Sequence, residues 1–425
     1  MSEAPKTRPD HDPSCQDDYD SESLPVEAAR ARILDNLQPL RGYEQVALRS
    51  ALGRILAQDI HSPVAVPHGT NSAMDGYALA GSDLPADGNR ELCIAGTAWA
   101  GRPYPQALQP GECVRIFTGA ILPDGADTVV IQERAERRDD TLIIDNSTRS
   151  GDNVRAAGED IAKGARVMAA GTRLQPAELG LLASLGLGEI TVRRRLRVAF
   201  FSTGDELRSI GEPLEPGMIY DSNRYTLFGM LERLGCELID MGVVRDTPEA
   251  TDTAFREAAD CADVLITSGG VSVGEADYVK TTLEALGEVG FWKVAMKPGR
   301  PLAFGRISDC VFFGLPGNPV SVMVTFYQFV QPALRKLMGE AVTDPITVRA
   351  RCQSGLKKRP GRFEFQRGIL SQGDDGELNV HKTGAQGSGI LTSMSHANCF
   401  ILLPVEASGI EPGDWVDVQP FHGLV

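Results

Sequence analysis

The stretch 262–321 constrains the fold more than any other part of the chain. Within it, 263–267 is a short apolar run with β-branched residues, which predicts a buried parallel strand that stops at the Ser-Gly-Gly turn 268–270. Apolar residues at helical spacing then predict a helix that begins near Asp277. A strand, a glycine-rich turn and a helix start expose backbone N–H groups, so this pattern favours binding of an anion such as a phosphate.

Short apolar strands alternate with amphipathic helices over residues 191–342, which predicts a doubly wound parallel α/β sheet domain. A chain of 425 residues has room for about three domains. The prediction is therefore a multidomain α/β protein. The other predicted domains are an elongated helical domain (25–60 plus 160–190), a β domain inserted into it (61–159) and a small C-terminal β barrel or sandwich (343–425).

Two longer segments outside the central stretch show helical spacing of apolar residues. Leu48, Leu52, Ile55 and Leu56 would share one face, so we predict a helix over 43–56. A second helix is predicted over 319–338, directly after a strand and a Pro-Gly-Asn-Pro turn.

The net charge is −15, which excludes broad binding to nucleic acids or anionic membranes, because both need a basic surface. Residues 1–24 hold seven acids and two bases, so −5 of this charge lies there. Few apolar residues accompany these charges, and we predict a disordered acidic tail.

The eight cysteines are scattered and form no C-x-x-C pair, which excludes the common zinc patterns and is typical of reduced thiols. No apolar run is long enough to span a membrane, and the first residues lack the basic-then-apolar order of a signal peptide. We therefore expect a soluble cytoplasmic protein.

Polar residues follow the predicted strands of the sheet domain at the point where each strand ends. In an open α/β sheet, ligands bind beyond the carboxyl ends of the strands. Several loops should therefore meet at one edge and form a binding site. They comprise Ser202–Glu206, Arg245-Asp246, Ser268-Gly269-Gly270 with Ser272, Gly274 and Asp277, Lys297-Pro298, and Pro316-Gly317-Asn318-Pro319.

Four carboxylates belong to these loops: Asp205, Glu206, Asp246 and Asp277. They would repel one another if all were ionised and close together. A divalent cation such as Mg²⁺ would relieve this repulsion, and Mg²⁺ commonly bridges carboxylates to substrate phosphates. We predict Glu206, Asp246 and Asp277 as metal ligands, and Asp205 alone is better explained as a helix cap or loop charge.

Lys293 and Lys297 lie four residues apart on one predicted strand, which would place them on one face and roughly 13 Å apart. Such a pair either borders solvent or faces an anion, and the spacing does not choose between the two. Asn318 and Pro319 suit the cap and first position of a helix, a role that can be purely structural. The same helix start could also point N–H groups and the Ser321 hydroxyl toward an oxyanion.

Three loops outside the sheet domain carry polar residues: Asp75 before a glycine, Thr118 after a strand, and Asp160 in an acidic turn. Turn roles account for each of them taken singly. No Ser-His-Asp order or metal-binding histidine pair is present in the sequence, and we assign no catalytic histidine.

Seven motifs occur in this order along the chain: S-A-M-D-G-Y-A, R-I-F-T-G-A, G-E-D-I, S-T-G-D-E-L, S-G-G-V-S-V-G-E-A-D-Y, K-V-A-M-K-P-G-R-P and G-L-P-G-N-P-V-S. Taken together, they resemble the MoeA family of molybdopterin molybdenumtransferases, including the E domain of gephyrin-like proteins. The resemblance extends from about residue 25 to the end of the chain.

The resemblance implies that molybdate is inserted into the dithiolene of adenylylated molybdopterin, and that the adenylate is hydrolysed off with a divalent cation. It implies that Glu206, Asp246 and Asp277 position Mg²⁺ and the adenylate phosphate, and that the loop 269–274 cradles phosphate. Lys293 and Lys297 would hold the pterin phosphate or molybdate. The family's functional positions fall on Asp75, Thr118, Asp160, Glu206, Asp246, Asp277, Lys293, Lys297, Pro316 and Pro319.

The family's molybdate pocket implies further residues in this chain: Pro298, Ser321, Arg362 or Arg367, and Ser393. The choice between the two arginines stays open. The family is also a homodimer, whose cleft joins one subunit's inserted β domain to the other subunit's sheet and C-terminal domains.

Three alternatives remain beside this interpretation. The sister molybdopterin adenylyltransferases share the sheet domain but are usually short, and such an enzyme could also be a transient partner. A gephyrin-like chain can act as a dimeric scaffold without catalysis. A paralogue could handle tungstate, which sequence cannot distinguish from molybdate.

Overall fold

A computed structural model describes residues 23–270, 286–341 and 343–421. Within these ranges the chain divides into two compact units. The first unit contains residues 23–44, 53–55 and 193–421, and the second contains 45–52 and 56–192. Most of the predicted acidic tail, and the predicted Ser272, Gly274 and Asp277, lie outside the described residues.

The first unit begins at Leu24, whose N–H donates to the Lys293 carbonyl at 2.8 Å. Helix α1 (Val26–Asp35) follows and buries Val26, Ala29 and Ile33 at helical spacing. This part of the predicted helical domain is therefore helical.

The predicted helix over 43–56 is wrong. Tyr43–Ala47 is a β-strand (β1), Leu48–Ser50 is a single 3₁₀ turn, and Gly53 has a φ of +74°. The backbone N–H of Leu56 donates to Thr172 at 3.0 Å, instead of to a residue one helical turn earlier. Apolar residues do recur at helical spacing in this stretch, but its backbone groups form hydrogen bonds to segments that are distant in sequence.

The second unit is built around a six-stranded sheet. Its strands run in the order β7-β4-β6-β5-β9-β8, and the pairs β2–β11 and β3–β10 lie outside it. Alternate residues of the strands enter two apolar clusters, since Cys113 and Val130 belong to one and Val114 and Val129 to the other. The elements are β2 (Ile60–His61), β3 (Asn71–Ser72), β4 (Gly76–Leu79), β5 (Asn89–Ala98), β6 (Glu112–Ile116), β7 (Thr128–Ile131), β8 (Ala135–Arg138), β9 (Thr141–Asp145), β10 (Val154–Arg155), β11 (Arg166–Met168), α2 (Pro176–Ser184) and β12 (Glu189–Arg193).

The α/β sheet of the first unit has six described strands in the order β16-β13-β17-β21-β20-β18. The first four are parallel to one another, β20 pairs antiparallel with β21, and β18 pairs antiparallel with β20 at one edge. The predicted parallel arrangement is thus correct for β16, β13, β17 and β21, and the pairings of β20 and β18 differ from it. The elements are β13 (Arg197–Thr203), β14 (Leu207–Arg208), β15 (Ile219–Tyr220), α3 (Ser222–Leu234), β16 (Glu237–Val244), α4 (Pro248–Cys261), β17 (Val264–Ser268), β18 (Gly287–Lys293), β19 (Met296–Lys297), β20 (Pro301–Ile307), β21 (Cys310–Leu315), α5 (Pro319–Thr325) and α6 (Gln331–Leu337).

Both faces of this sheet are covered by helices. Phe200 and Ile266 point into the cluster that includes α3 and α5, whereas Phe201 and Leu265 point into the cluster that includes α4. The doubly wound arrangement is therefore confirmed. The predicted helix over 319–338 is also present, with a buried π-helical segment, Phe326–Val330, between α5 and α6.

The C-terminal part forms a small barrel, as predicted. The strand order β24-β25-β22-β28-β26 closes because β24 also pairs with β26. Closure leaves no free edge among these strands. The elements are β22 (Val348–Cys352), β23 (Leu356–Lys357), β24 (Phe363–Gln372), β25 (Leu378–Lys382), α7 (Leu391–Ser395), β26 (Cys399–Leu403), β27 (Gly409–Ile410) and β28 (Trp415–Pro420).

The prediction that Lys293 and Lys297 share one strand is wrong. Strand β18 ends at Lys293, and Lys297 lies in β19, which pairs with β24 of the barrel through Lys297 and Glu364. Leu24 pairs with Val294 in an isolated parallel bridge, and the Met296 N–H donates to the Val294 carbonyl at 2.8 Å. The chain therefore changes sheets between the two lysines.

In the part of the chain that the structure describes, no helix is both long and apolar enough to cross a bilayer. The cysteines of this part are all free thiols, as expected for reduced cysteines. The domain boundaries themselves stay predictions.

Candidate functional site

The carboxyl ends of β13, β17 and β21 border a cavity of about 780 Å³. Its position follows the rule that open α/β sheets bind ligands at this edge. Of the predicted site residues, the structure brings together Glu206, Asp246, Ser268, Gly269, Gly270, Gly317, Asn318 and Pro319.

Carboxylates gather on one side of the cavity. Partial burial raises the pKa of Asp246 above its usual range, and the negative charges of Asp205 and Glu206 raise it further. Asp205 therefore belongs to the acidic group electrostatically, although the sequence favoured a plain cap for it. A cation bound beside these three carboxylates would offset their negative charge and favour the ionised form of Asp246.

The turn after β17 requires its two glycines. Gly269 and Gly270 have φ values of +88° and +66°, a region that side chains rarely adopt. A Cβ atom at Gly269 would lie 2.5 Å from the Thr203 carbonyl oxygen. The Gly269 N–H donates to the Leu315 carbonyl at 3.1 Å, so the turn fits tightly between the ends of β13 and β21.

The start of α5 offers fewer free N–H groups than the sequence suggested. Asn318 occupies the cap position without a side-chain cap bond, and Pro319 has no N–H. The Val320 N–H donates to the Ser388 carbonyl at 3.1 Å, so it does not face an anion. Ser321 is buried in the first turn.

Arg367 and Ser393 lie together in the barrel, and both are buried. Arg367 Nε donates to Ser393 Oγ at 3.0 Å, and Arg367 Nη2 donates to the Gly387 carbonyl at 3.1 Å. Gly387 begins a loop in which Gly389 and Leu391 line the cavity.

Arg362 lies just before β24 and is half-buried. Its charge contributes to the lowered pKa of Lys358, which is caused mainly by burial. Between the two candidate arginines, Arg367 is the one that contacts Ser393. The structure does not bring Lys293, Lys297, Pro298 or Pro316 into the described cavity lining.

In the second unit, the structure brings Asp75 and Thr118 together. Asp75 Oδ1 accepts both the backbone N–H and the hydroxyl of Thr118, each at 2.8 Å. These two bonds lower the pKa of the half-buried Asp75 carboxyl, with the backbone bond as the larger cause. Asp160 is exposed, and its backbone N–H donates to the Val66 carbonyl at 3.0 Å.

An aromatic stack lies next to Thr118 in the same unit. The Arg115 guanidinium lies 5.0 Å from the Tyr77 ring centre and 4.9 Å from that of Phe117. The other neighbour of Phe117 is Trp99, whose ring is stacked at 4.2 Å. This stack holds the strand end that presents Thr118.

Three protein-family profiles match the chain: the MoeA N-terminal region (domain I and II) over residues 24–186, a probable molybdopterin binding domain over 199–336, and the MoeA C-terminal region (domain IV) over 349–421. A molybdopterin molybdenumtransferase from Haemophilus influenzae is 44% identical over 95% of this chain and 100% of its own length. The chain belongs to the MoeA family.

Other relatives agree with this membership. A gephyrin from Dictyostelium discoideum is 34% identical over 92% of this chain and 61% of its own length. The crystal structure of a MoeA molybdopterin biosynthesis protein from Pyrococcus horikoshii covers 94% of this MoeA-family chain and 100% of its own, with a TM-score of 0.82 and 29% identity. A second MoeA molybdopterin biosynthesis protein structure from Pyrococcus horikoshii gives a TM-score of 0.79 at 33% identity, covering 94% of this chain and 99% of its own.

Sequence reasoning missed several residues of the MoeA-family cavity. Asp221 and Asn223 line it from the start of α3, and Asn223 Nδ2 donates to the Gly317 carbonyl at 2.7 Å. Asp-Ser-Asn directly before an apolar helical pattern is a helix-start signal, which could have drawn attention to Asp221. Nothing in the sequence linked Gly389 or Leu391 to this edge.

The described residues fit Mg²⁺ in part. In 23–270, 286–341 and 343–421, no three His, Cys, Asp or Glu side chains form a group that could hold a metal. Glu206 and Asp246 still line one cavity. The pKa of Asp246 is raised by burial first and by the charges of Asp205 and Glu206 second, and a cation would offset these charges. Mg²⁺ often needs only one or two carboxylates together with substrate phosphates.

Proposed function

We propose that this chain is a molybdopterin molybdenumtransferase, which inserts molybdenum from molybdate into adenylylated molybdopterin and releases AMP. The observation that carries this proposal is the acidic cavity at the strand ends, which Glu206 and Asp246 line together with the glycine turn at 269–270. The relatives' names, with 44% identity along almost the whole chain, support the same activity.

Within this proposal, the cavity binds the adenylate end of the substrate. The glycines at 269 and 270 carry no side chain, which would let a phosphate approach the backbone closely. Glu206 and Asp246, with Asp277, would hold Mg²⁺, which supplies positive charge to phosphate oxygens. The roles of Asp277, Ser272 and Gly274 stay predictions.

The molybdate end of the site is proposed to involve Lys297, Pro298, Ser321, Arg367 and Ser393. The contact between Arg367 and Ser393, and the bond from Arg367 to Gly387, support the choice of Arg367 over Arg362. Lys293 is retained as a phosphate-binding candidate. Asp75, Thr118 and Asp160 remain proposed functional residues of the second unit.

We further propose a homodimer. Several exposed apolar side chains in one stretch of the first unit support this proposal, because a large exposed apolar patch often marks a protein–protein interaction site. They are Ile210, Leu214, Ile219, Tyr220, Tyr225 and Phe228, of which Ile219 and Tyr220 also line the cavity.

We also propose a cytoplasmic location, which fits the free thiols of the described residues. One of them, Cys310, has its pKa raised by burial to about 12, so this thiol stays neutral. A transient adenylyltransferase partner would supply the adenylylated substrate.

The test is AMP release from adenylylated molybdopterin, with molybdate and Mg²⁺ each added or withheld. The proposal expects release only when both are present. Formation of the adenylyl bond from ATP would instead indicate the sister adenylyltransferase. A bound substrate that is never turned over, together with tight binding of a peptide partner, would indicate a scaffold.

A further inference from the structure

Three buried side chains form a hydrogen-bonded chain under the cavity. Ser202 lies near the end of β13, Ser268 ends β17, and Asp221 caps α3, and each is at most 1% exposed. Ser202 Oγ lies 3.0 Å from Asp221 Oδ1 and 2.9 Å from Ser268 Oγ. The chain therefore links two strand ends of the site to the start of a helix.

The direction of these hydrogen bonds follows from their chemistry. An ionised carboxylate only accepts, so Ser202 must donate its one hydroxyl proton to Asp221. Ser268 is then the donor to Ser202, because Ser202 has no second proton. The Ser268 proton therefore points away from the cavity, and its oxygen can only accept a bond from a ligand.

The side chain of Asp221 makes more contacts than a helix cap alone needs. Its Oδ1 also accepts the backbone N–H of Arg224 at 3.1 Å, which caps α3. Among the described residues, no hydrogen-bond donor contacts its buried Oδ2, and Arg224 Nε lies 3.7 Å from this oxygen. Arg224 in turn lies 3.5 Å from the more exposed Asp240. A simple helix cap does not require a fully buried carboxylate, since Ser or Asn would serve as well.

We propose that Asp221 is a positioning residue for substrate binding. Through Ser202 it holds the ends of β13 and β17 in place. It also causes the Ser268 hydroxyl to donate its proton to Ser202 and not toward the cavity. Ser268 then offers the substrate an acceptor for a hydroxyl or N–H group and gives no proton to a phosphate. The identity of the substrate rests on the function proposed above, whereas the hydrogen-bond chain does not.

The variants Asp221→Ala, Ser202→Ala and their double combination test this inference, because each removes one partner of the bond between Ser202 Oγ and Asp221 Oδ1. Binding of AMP with Mg²⁺ is measured by calorimetry, and KM and kcat are measured for AMP release. Each single variant should weaken AMP binding about tenfold and raise KM more than it lowers kcat. The double variant should be no worse than either single one, because both break the same chain.

Asp240→Asn is the matched control, since it removes the other carboxylate beside Arg224 and should leave AMP binding unchanged. Asp221→Ala also removes the cap of α3 and should lower the melting temperature, whereas Ser202→Ala keeps that cap and isolates the hydrogen-bond chain. Wild-type AMP affinity in Ser202→Ala, or losses that multiply in the double variant, would overturn the inference.

Failure of the proposed function would be seen separately. If the wild type binds AMP but does not release it from the substrate, that function fails and the binding comparison still decides the inference. If the wild type binds no AMP, hydrogen–deuterium exchange of peptides covering 202–206 and 268–270 decides it without ligand. Faster exchange in Ser202→Ala, which loses the bond to Asp221 and keeps the helix cap, supports the positioning role, and unchanged exchange contradicts it.

Discussion

Arg367 Nε donates to Ser393 Oγ at 3.0 Å inside the barrel, with Arg367 only 1% and Ser393 only 4% exposed. Ser393 Oγ also donates to the Ile390 carbonyl at 2.7 Å. The pair thus connects β24 to α7 and to the loop that lines the cavity.

Ser393→Ala should lower the free energy of unfolding by about 1–3 kcal/mol, because it removes an acceptor from a buried guanidinium. Denaturant unfolding measures the loss. Ser395→Ala, an exposed position on the same helix, should change stability by less than about 0.5 kcal/mol. Equal effects of the two variants would show that the buried bond contributes nothing.

Gly269→Ala should destabilise the protein by about 1–3 kcal/mol and weaken AMP binding, because the residue has a φ of +88° and no room for a Cβ atom. Gly317→Ala is the control on the same cavity wall. There, a Cβ atom would meet nothing nearer than 3.9 Å. The expectation fails if both variants unfold at the same denaturant concentration.

Asp246→Asn should stabilise the free protein near neutral pH. The folded-state pKa of Asp246 is raised, so its contribution to stability is full below the ordinary carboxyl pKa and is lost as the pH rises through the folded-state pKa. The gain should be about a few tenths of a kcal/mol, because solvent screens this half-buried group. Urea unfolding at neutral and acidic pH measures it. A gain that persists at acidic pH would show that ionisation of Asp246 is not the source of the effect.

Thr118→Val should move the pKa of Asp75 upward, but not fully to its ordinary value. The valine keeps the backbone N–H bond, which is the larger cause of the lowered pKa, and loses only the hydroxyl bond. Carbon-13 NMR of the Asp75 carboxyl gives the titration directly. An unshifted titration would show that the hydroxyl bond is absent in solution.

Much of the site at the sheet edge could be predicted from sequence because its residues lie at or just after the ends of buried strands. Glu206, Asp246 and Ser268 are of this kind. The periodicity of a parallel sheet fixes which strand ends meet, so no knowledge of side-chain contacts was needed.

Other parts depend on contacts between distant segments, which periodicity does not encode. Lys297 leaves its expected strand because its pairing partner is Glu364 in the barrel. Asp75 and Thr118 meet because β4 pairs with β6, with Gly76 opposite Ile116. Asp221 enters the site from a helix start, so the strand-end rule did not select it.

The central claim is that the Glu206 and Asp246 carboxylates serve Mg²⁺-dependent AMP release. The most direct measurement is a Mg²⁺ titration of AMP release with saturating molybdate, comparing the wild type with Asp246→Asn and with the control Asp240→Asn. We predict that Asp246→Asn raises the half-saturating Mg²⁺ concentration by about tenfold or more, because a charged ligand is lost, and that Asp240→Asn leaves it unchanged. An unchanged Mg²⁺ dependence in Asp246→Asn would contradict a metal-binding role for this carboxylate.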